Sequence, residues 1–279
     1  MANIRLIRRR IKGIQSTAKI TRAMEMIATS KMRRAQERGL AGRPYSEKIH
    51  RVIADLAALP QAEAPLHPLL QRRPVNKIAI VHITPDRGLC GGLNTNLNRR
   101  TASFILEQSL PVTLIIVGRK GRDFMRRYGR DIRAEFTALG DRPSLLDTLP
   151  ISRIIIDDYT SGFVDLVFLV YAQFISTMVQ RPIMQQILPV EPAAIPRAQN
   201  VDYIYEPGPA AVLGELLPRF VEMQVYHAIL ESIASEQSAR MVAMRNATDN
   251  ANELIEELTL MYNKARQESI TKELLDITG

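Results

Sequence analysis

Along the first part of the chain, apolar residues recur at alternating spacings of three and four: Ile4, Ile7, Ile11, Ile14, Ala18 and Thr21. That spacing traces the seam of a coiled coil rather than one face of a short amphipathic helix. Helical periodicity spans residues 3 to about 57, with Pro44 expected to kink it or mark a turn. A second helical period starts near Ala210 and runs on through Leu216, Phe220, Ile233, Met244, Ala251, Leu258 and Met261. Small residues at Ala243, Ala247 and Ala251 let a second helix approach closely, and Pro218 predicts a local bend. A seam needs a partner. The two ends of the chain supply one for each other.

Between them the period changes. Lys77–Thr84 and Val112–Gly118 are short apolar runs rich in β-branched residues, and Val164–Gln173 and Ile183–Pro189 read the same way. Helical stretches fit at 95–108, 119–128 and 144–160. The expected fold is therefore α/β plus a long antiparallel two-helix coiled coil formed by the N- and C-terminal helices. Its parts are an N-terminal helix (1–59), a linker (60–76), a Rossmann-like domain with a mainly parallel sheet (77–190), a second linker (191–209) and a C-terminal helix (210–279). If both helices leave the middle domain at one level, residue i faces residue j where i + j is about 267, so Met24 lies near Ala243. The C-terminal helix then overshoots by about 15 residues, or roughly 20 Å. An unpaired tip of that length is unstable alone in water and calls for insertion into another protein.

Charge sharpens this picture. Between Arg5 and Arg43 twelve basic side chains face two acidic ones, Glu25 and Glu37, and the whole chain carries +8 with a pI near 9.8. An anionic partner follows: nucleic acid, an acidic membrane surface or an acidic protein sleeve. Arg8, Lys12, Lys19, Arg22, Arg33 and Arg34 fan over the half of the helix opposite the seam, and Ile20, Met24 and Ile27 fall among them, off the seam. A solvated face does not usually carry apolar residues there, whereas a face turning inside a partner does. Nucleic-acid readout favours Asn, Gln or aromatic side chains, which are sparse on this helix. Aromatics make up only 5% of the chain and Trp is absent, against a dense single core. No apolar h-region marks a secretory signal, and no apolar run approaches the roughly 20 residues of a membrane span, so the chain is expected to be soluble or at most peripheral.

Candidate chemistry is thin. Asp86–Asn94 (DRGLCGGLN) is a glycine-rich turn after the first strand, a place where backbone N–H groups can cradle phosphate. Its Gly88, Gly91 and Gly92 match neither nucleotide-binding fingerprint, and the favoured reading is a structural turn needing φ > 0. Cys90, the single cysteine, excludes an internal disulfide, and as a nucleophile it would need a base such as His82. The four histidines lack metal-ligand spacing, and adjacent acids such as Asp157–Asp158 point different ways. No catalytic residue, cofactor site or metal site is expected. Two other classes stay open on the residues alone: a basic coiled coil that binds nucleic acid, and an enzyme with a ligand at Gly88–Gly92.

Specific strings go further. Ile11–Gln36 (IKGIQSTAKITRAMEMIATSKMRRAQ), Asp86–Asn94, and Ser235–Ala247 (SEQSARMVAMRNA) with Leu258–Leu275 (LTLMYNKARQESITKELL) resemble, in order, the N-terminal helix, central motif and C-terminal helix of the gamma subunit of F-type ATP synthases. The resemblance implies a noncatalytic rotor shaft, one copy inside a hexamer of alpha and beta subunits. Its foot would stand near the epsilon subunit and the c-ring, at the cytoplasmic face of a bacterial membrane. Torque would pass between the c-ring and the catalytic sites on the beta subunits. Carried residue by residue, Arg266, Gln267 and Thr271 match positions that latch onto a beta subunit, and Met24 with Lys31–Arg34 match the part facing its acidic lever segment. Arg8, Arg9, Lys12, Lys19, Arg22, Ile27, Lys31, Arg33 and Arg34 become a positive, partly apolar cam within that sleeve. Nucleic acid, direct membrane insertion and homo-oligomers are not implied. Ile270–Asp276 matches the family's terminal signature, although the sequence ends at Gly279, before the family's usual Gly-Ala, and the chloroplast form's cysteine-containing insertion is absent.

Overall fold

A computed structural model describes residues 4–57, 67–191, 206 and 208–278. Two very long helices flank an α/β body. Helix α1 (Ile4–Ala57, 54 residues) and helix α5 (Pro209–Thr278, 70 residues) pack along one another. The body comprises β1 (Ile78–Ile83), α2 (Leu93–Glu107), β2 (Val112–Val117), α3 (Arg119–Arg127), β3 (Ile132–Phe136), α4 (Leu145–Thr160), β4 (Leu166–Phe174) and β5 (Gln180–Leu188). The expected proline-rich linkers fall mostly outside the described residues.

The five strands run in the order β3-β2-β1-β4-β5. β1 pairs in parallel with β2 and β4, β2 in parallel with β3, and β4 antiparallel with β5. Every residue of β1 is buried, as a strand covered on both faces requires. Ile78, Ile80, Leu114, Ile116, Val170 and Ala172 form one face with Leu93 and Leu97 of α2 and Met125 of α3. Val81, Ile115, Val167 and Leu169 form the other, with Ile151 and Ile155 of α4 and Leu217, Val221 and Val225 of α5. Ile49 and Ile53 of α1 join this second core. The lower shaft is thus part of the body's own interior.

Three expectations need correction. Strand β3 was missed, because Arg133 and Glu135 interrupt its apolar pattern; it lies at a sheet edge, half-exposed, where no continuous apolar run is needed. Pro44 marks no turn: α1 is helical on both sides of it, and burial of Ile49 and Ile53 below that point holds the helix against the lost backbone bond. At Pro218, the place of the expected local bend, α5 stays helical, beside the buried Leu217 and Phe220. The antiparallel register also moves slightly. Thr21 meets Thr248, Gly42 meets His227 and Glu25 meets Arg245, giving index sums of 269, 269 and 270 rather than about 267.

The seam runs through Ile4, Ile7, Ile11, Ile14, Ala18, Thr21, Ala28 and Ala35, with the burial deepest from Ala18 onward. Its small residues bring the helices close. At Gly42 a Cβ would stand 2.5 Å from His227 Cε1, so a larger residue there must displace the ring. In mid-seam the Thr21 and Thr248 hydroxyls lie 2.7 Å apart, both buried. A polar pair inside an apolar seam costs stability if mismatched, so it fixes register.

Candidate functional site

Where the fold meets the shaft, α5 crosses the carboxyl end of the sheet. The Ser235 hydroxyl donates to Ala172 O at 2.8 Å, and Ser238 donates to Thr177 O at 2.7 Å while accepting from Gln180 at 3.3 Å. The Phe174 N–H donates to the Glu231 carboxylate at 3.2 Å. One turn further, Arg240 donates to Gly88 O at 3.2 Å and to Glu236 at 2.6 Å. Both side chains of that ion pair are nearly sealed from water, and burial raises the Glu236 carboxyl above its ordinary range against the pull of Arg240. Sequence reasoning passed over this belt. Its signal was a lapse: no large apolar residue falls between Ile233 and Met241 on an otherwise periodic helix.

Such a helix has a chemical consequence. Open α/β sheets bind ligands beyond the carboxyl ends of the strands, at the point where connections diverge. Here β1 feeds β2 on one side and has β4 on the other, so the divergence lies between β1 and β4. Ser235 and Arg240 of α5 are bonded to those two strand ends. On the other side of β1, toward β2 and β3, the cavity between Thr84, Gly118, Phe136, Ser232 and Glu236 under α5 holds about 50 Å³, against the roughly 300–1,000 Å³ of small-molecule sites. The chain's own helix fills the crevice.

The glycine-rich turn is correspondingly structural. Positive φ falls at Gly91 (57°) and Leu89 (62°), while Gly92 caps α2 at φ −83°, so of the three glycines only Gly91 needs the left-handed region. Gly88 supplies the carbonyl that Arg240 binds. Cys90 is buried beneath the turn, and burial pushes its thiol up. The base considered for it is engaged elsewhere: His82 Nε2 lies 2.8 Å from Asn98 Oδ1 and Nδ1 lies 2.9 Å from Thr101 Oγ1. Burial lowers His82 to about 4, so it is neutral at pH 7. Among the described residues no three His, Cys, Asp or Glu side chains gather as a metal site.

Two further carboxylates brace the junction. Asp86 accepts from the N–H groups of Arg119 (3.0 Å) and Ala138 (2.9 Å), linking the end of β1 to the starts of α3 and of the loop after β3. Asp141, in that loop, receives Lys31 at 2.6 Å and Gln237 at 3.4 Å, one from each long helix.

The residues singled out on the shaft fall into two groups. Arg8, Arg9, Lys12, Lys19, Arg22, Arg33 and Arg34 are exposed on α1, Arg33 pairing with Glu37 one turn on at 3.2 Å. Ile27 is 55% exposed within the same face. Met24 departs from expectation: it is half-buried beside the seam rather than clear of it, because the helix pitch brings both Met24 and Glu25 to the seam's edge. Lys31 is half-buried and bound to Asp141. Arg266, Gln267 and Thr271 are exposed on the overhang of α5, where the Thr271 hydroxyl donates to Gln267 O at 2.9 Å. By the register above, that second group lies about 45 Å along the axis from Lys31 and Arg34. The overhang begins where α1 starts, near α5 residue 265, and leaves about 13 residues unpaired, roughly 20 Å. Leu254, Leu260, Met261 and Ile270 are exposed on it and on the stretch just below, Leu260 by 71%. Among the described residues no helix is long and apolar enough to cross a membrane.

Comparisons with known proteins bear on this geometry. A family model described as ATP synthase matches residues 3–279. The ATP synthase gamma chain of Dehalococcoides mccartyi is 70% identical over 279 residues, covering 100% of this chain and 98% of the relative. That of Herpetosiphon aurantiacus is 51% identical over 288 residues, with 100% and 98% covered. Among solved structures, one of the Euglena gracilis mitochondrial ATP synthase (OSCP/F1/c-ring, rotational state 3) aligns with a TM-score of 0.65 at 20% identity over 98% of this chain and 92% of that one. The central stalk/c-ring structure from Tetrahymena thermophila aligns at 0.63 and 24% identity, over 82% and 99%. At those identities the structures speak to the fold, and the sequence relatives to the family.

Proposed function

The chain belongs to the family of ATP synthase gamma chains, a noncatalytic central-stalk subunit of F-type ATP synthase, and from that premise we propose what its parts do. The α/β foot receives torque from the c-ring of a proton-translocating enzyme, and the coil delivers it to the catalytic sites of the alpha/beta hexamer. Turning the other way, it regulates ATP hydrolysis and proton flow. One copy serves each hexamer, the epsilon subunit stands beside the foot, and the assembly works at the cytoplasmic face of a bacterial membrane as a peripheral part of the rotor.

The observation that carries this reading is the overhang. A helix that extends roughly 20 Å past its partner with large apolar side chains exposed is finished only inside another protein. Arg266, Gln267 and Thr271 lie on that overhang and are assigned to a beta subunit. Arg8, Arg9, Lys12, Lys19, Arg22, Met24, Ile27, Lys31, Arg33 and Arg34 are assigned to the bearing surface of the hexamer. Exposed ion pairs are worth only about 0–1 kcal/mol each, which suits a surface that must not stick at any one angle. Gly88, Gly91 and Gly92 act as a turn that seats α5 and bind no ligand.

Reconstitution with alpha and beta subunits tests the reading. The assembled complex is expected to turn a foot-attached probe stepwise on ATP; failure to assemble, or tight DNA binding with a steep salt slope, overturns it. Arg266→Ala is expected to lower proton-driven ATP synthesis several-fold while shifting the unfolding free energy of the chain by under about 0.5 kcal/mol. Unchanged synthesis in assembled complex counts against the assignment.

A further inference from the structure

We infer that Asp141 is a positioning residue for the rotor, setting the angle at which α1 sits around α5 relative to the foot; this rests on the rotor reading above. The two long helices are attached to the foot in different ways. α5 is bonded to it directly through Glu231, Ser235, Ser238 and Arg240. α1 packs along α5, and its apolar anchorage in the foot core, Ile49 and Ile53, lies about three turns or more below the junction. At the junction itself, the polar bond recorded from α1 to the foot among the described residues is Lys31 Nζ to Asp141 Oδ2, 2.6 Å.

That difference matters for a shaft loaded from the side. The basic face lies on α1, so a tangential push lands on the helix that the foot holds least directly. An apolar seam resists separation, but its attraction is non-directional, and one helix can roll about the other over small angles with little loss of buried area. A charged hydrogen bond is directional and defines one angle. From Asp141 the path continues without passing through α5: its loop is held by the Ala138 N–H on Asp86, whose other oxygen binds the Arg119 N–H at the start of α3. The second oxygen of Asp141 takes Gln237, so one carboxylate references both helices to the same loop. Both Asp141 and Lys31 are partly exposed, so the pair contributes little to folding, and its consequence is angular.

The test uses the reconstituted complex, with the hexamer immobilised and a probe on the foot, reading the angular width of each dwell. Asp141→Ala is expected to broaden the dwells roughly 1.5-fold, the scale set by removing a contact comparable to thermal energy. Asp141→Asn, which keeps an acceptor oxygen without the charge, should broaden them less, a graded rescue that misfolding would not produce. Gln237→Ala, which spares the Lys31 limb, should leave the width as in the unmodified chain. Equal widths for Asp141→Ala and the unmodified chain overturn the inference, as does equal broadening by Gln237→Ala. If the alanine chain does not assemble, an unchanged width in Asp141→Asn overturns it instead. Absence of rotation in the unmodified chain would sink the rotor reading itself, a separate outcome.

Discussion

The two ends of α5 are made of one continuous helix and owe their order to different causes. From Leu217 to Ala251 nearly every third or fourth residue is buried, first in the sheet's core and then against α1. Beyond Ala251 no described residue is fully buried. The lower end tolerates Pro218 and the serine-rich SEQSAR segment, poor helix formers, because the foot holds them. The upper end, rich in Glu and Leu and free of Gly and Pro through Thr278, favours helix by composition and has its apolar side chains waiting. What this teaches is that the lower helix is a piece of globular core, while the upper one is half of an interface.

The sharpest way to break that distinction is a matched pair of truncations. Leu217→Ala empties a fully buried site and is expected to cost about 2–5 kcal/mol in urea unfolding of the chain. Leu260→Ala, exposed on the upper end just below the overhang, is expected to stay within about 0.5 kcal/mol in the same assay. Similar costs at the two sites would mean that the upper end folds back onto something of its own.

A second prediction separates the ends by pH. His82 is held neutral in the folded foot, at about 4 against 6.5 when unfolded. Its depressed value means that the unfolded chain binds the proton first, so the foot's stability is fully present above pH 6.5 and is lost as pH falls from there through 4. The loss is on the order of 3 kcal/mol for a shift of this size. Asn98 and Thr101 face the ring. Urea unfolding at pH 7 and pH 4.5 should show the loss, and His82→Asn should flatten it. The upper end lies far from His82, so its variants should leave the slope alone. A pH-independent foot would show that the ring is solvated.

Much of this was legible in advance. Period-three-and-four spacing gave the coil and its overhang because seam geometry is a local property of the helix. The antiparallel register came within two or three residues for the same reason. β1, β2 and β4 were readable as β-branched runs, since a strand buried on both faces must be apolar, and the edge strand β5 was readable from its more apolar part, Ile183–Pro189. β3 was not, because an edge strand can carry Arg133 and Glu135. The junction was least legible of all. Asp86, Asp141 and the Glu236–Arg240 pair come from three separate stretches of chain, and nothing short of the fold brings them together. Lys31 is a case of partial sight: its charge was noted for an outside partner, whereas inside this chain it already holds Asp141.

The smallest effect concerns the stretch between the two ends, where core gives way to interface. Thr21 and Thr248 face each other across the seam at 2.7 Å, and each also has a carbonyl of its own helix in reach, Ala18 at 3.1 Å and Met244 at 2.9 Å. Because those carbonyls remain, removing one hydroxyl strands no buried donor. Thr21→Val or Thr248→Val should therefore cost only about 1 kcal/mol, the net worth of an ordinary hydrogen bond. The double variant replaces both hydroxyls with methyls of similar shape and should recover most of that loss, giving a coupling of about 2 kcal/mol in magnitude in the cycle. What it should not recover is uniqueness of register, since a purely apolar seam accepts a slip of one heptad more readily than one carrying a polar pair. Disulfide trapping between cysteines placed at seam positions would then capture off-register pairs in the double variant and not in the unmodified chain. A single register in both would move the burden of alignment from this pair to the foot, and the coil would be aligned by its base alone.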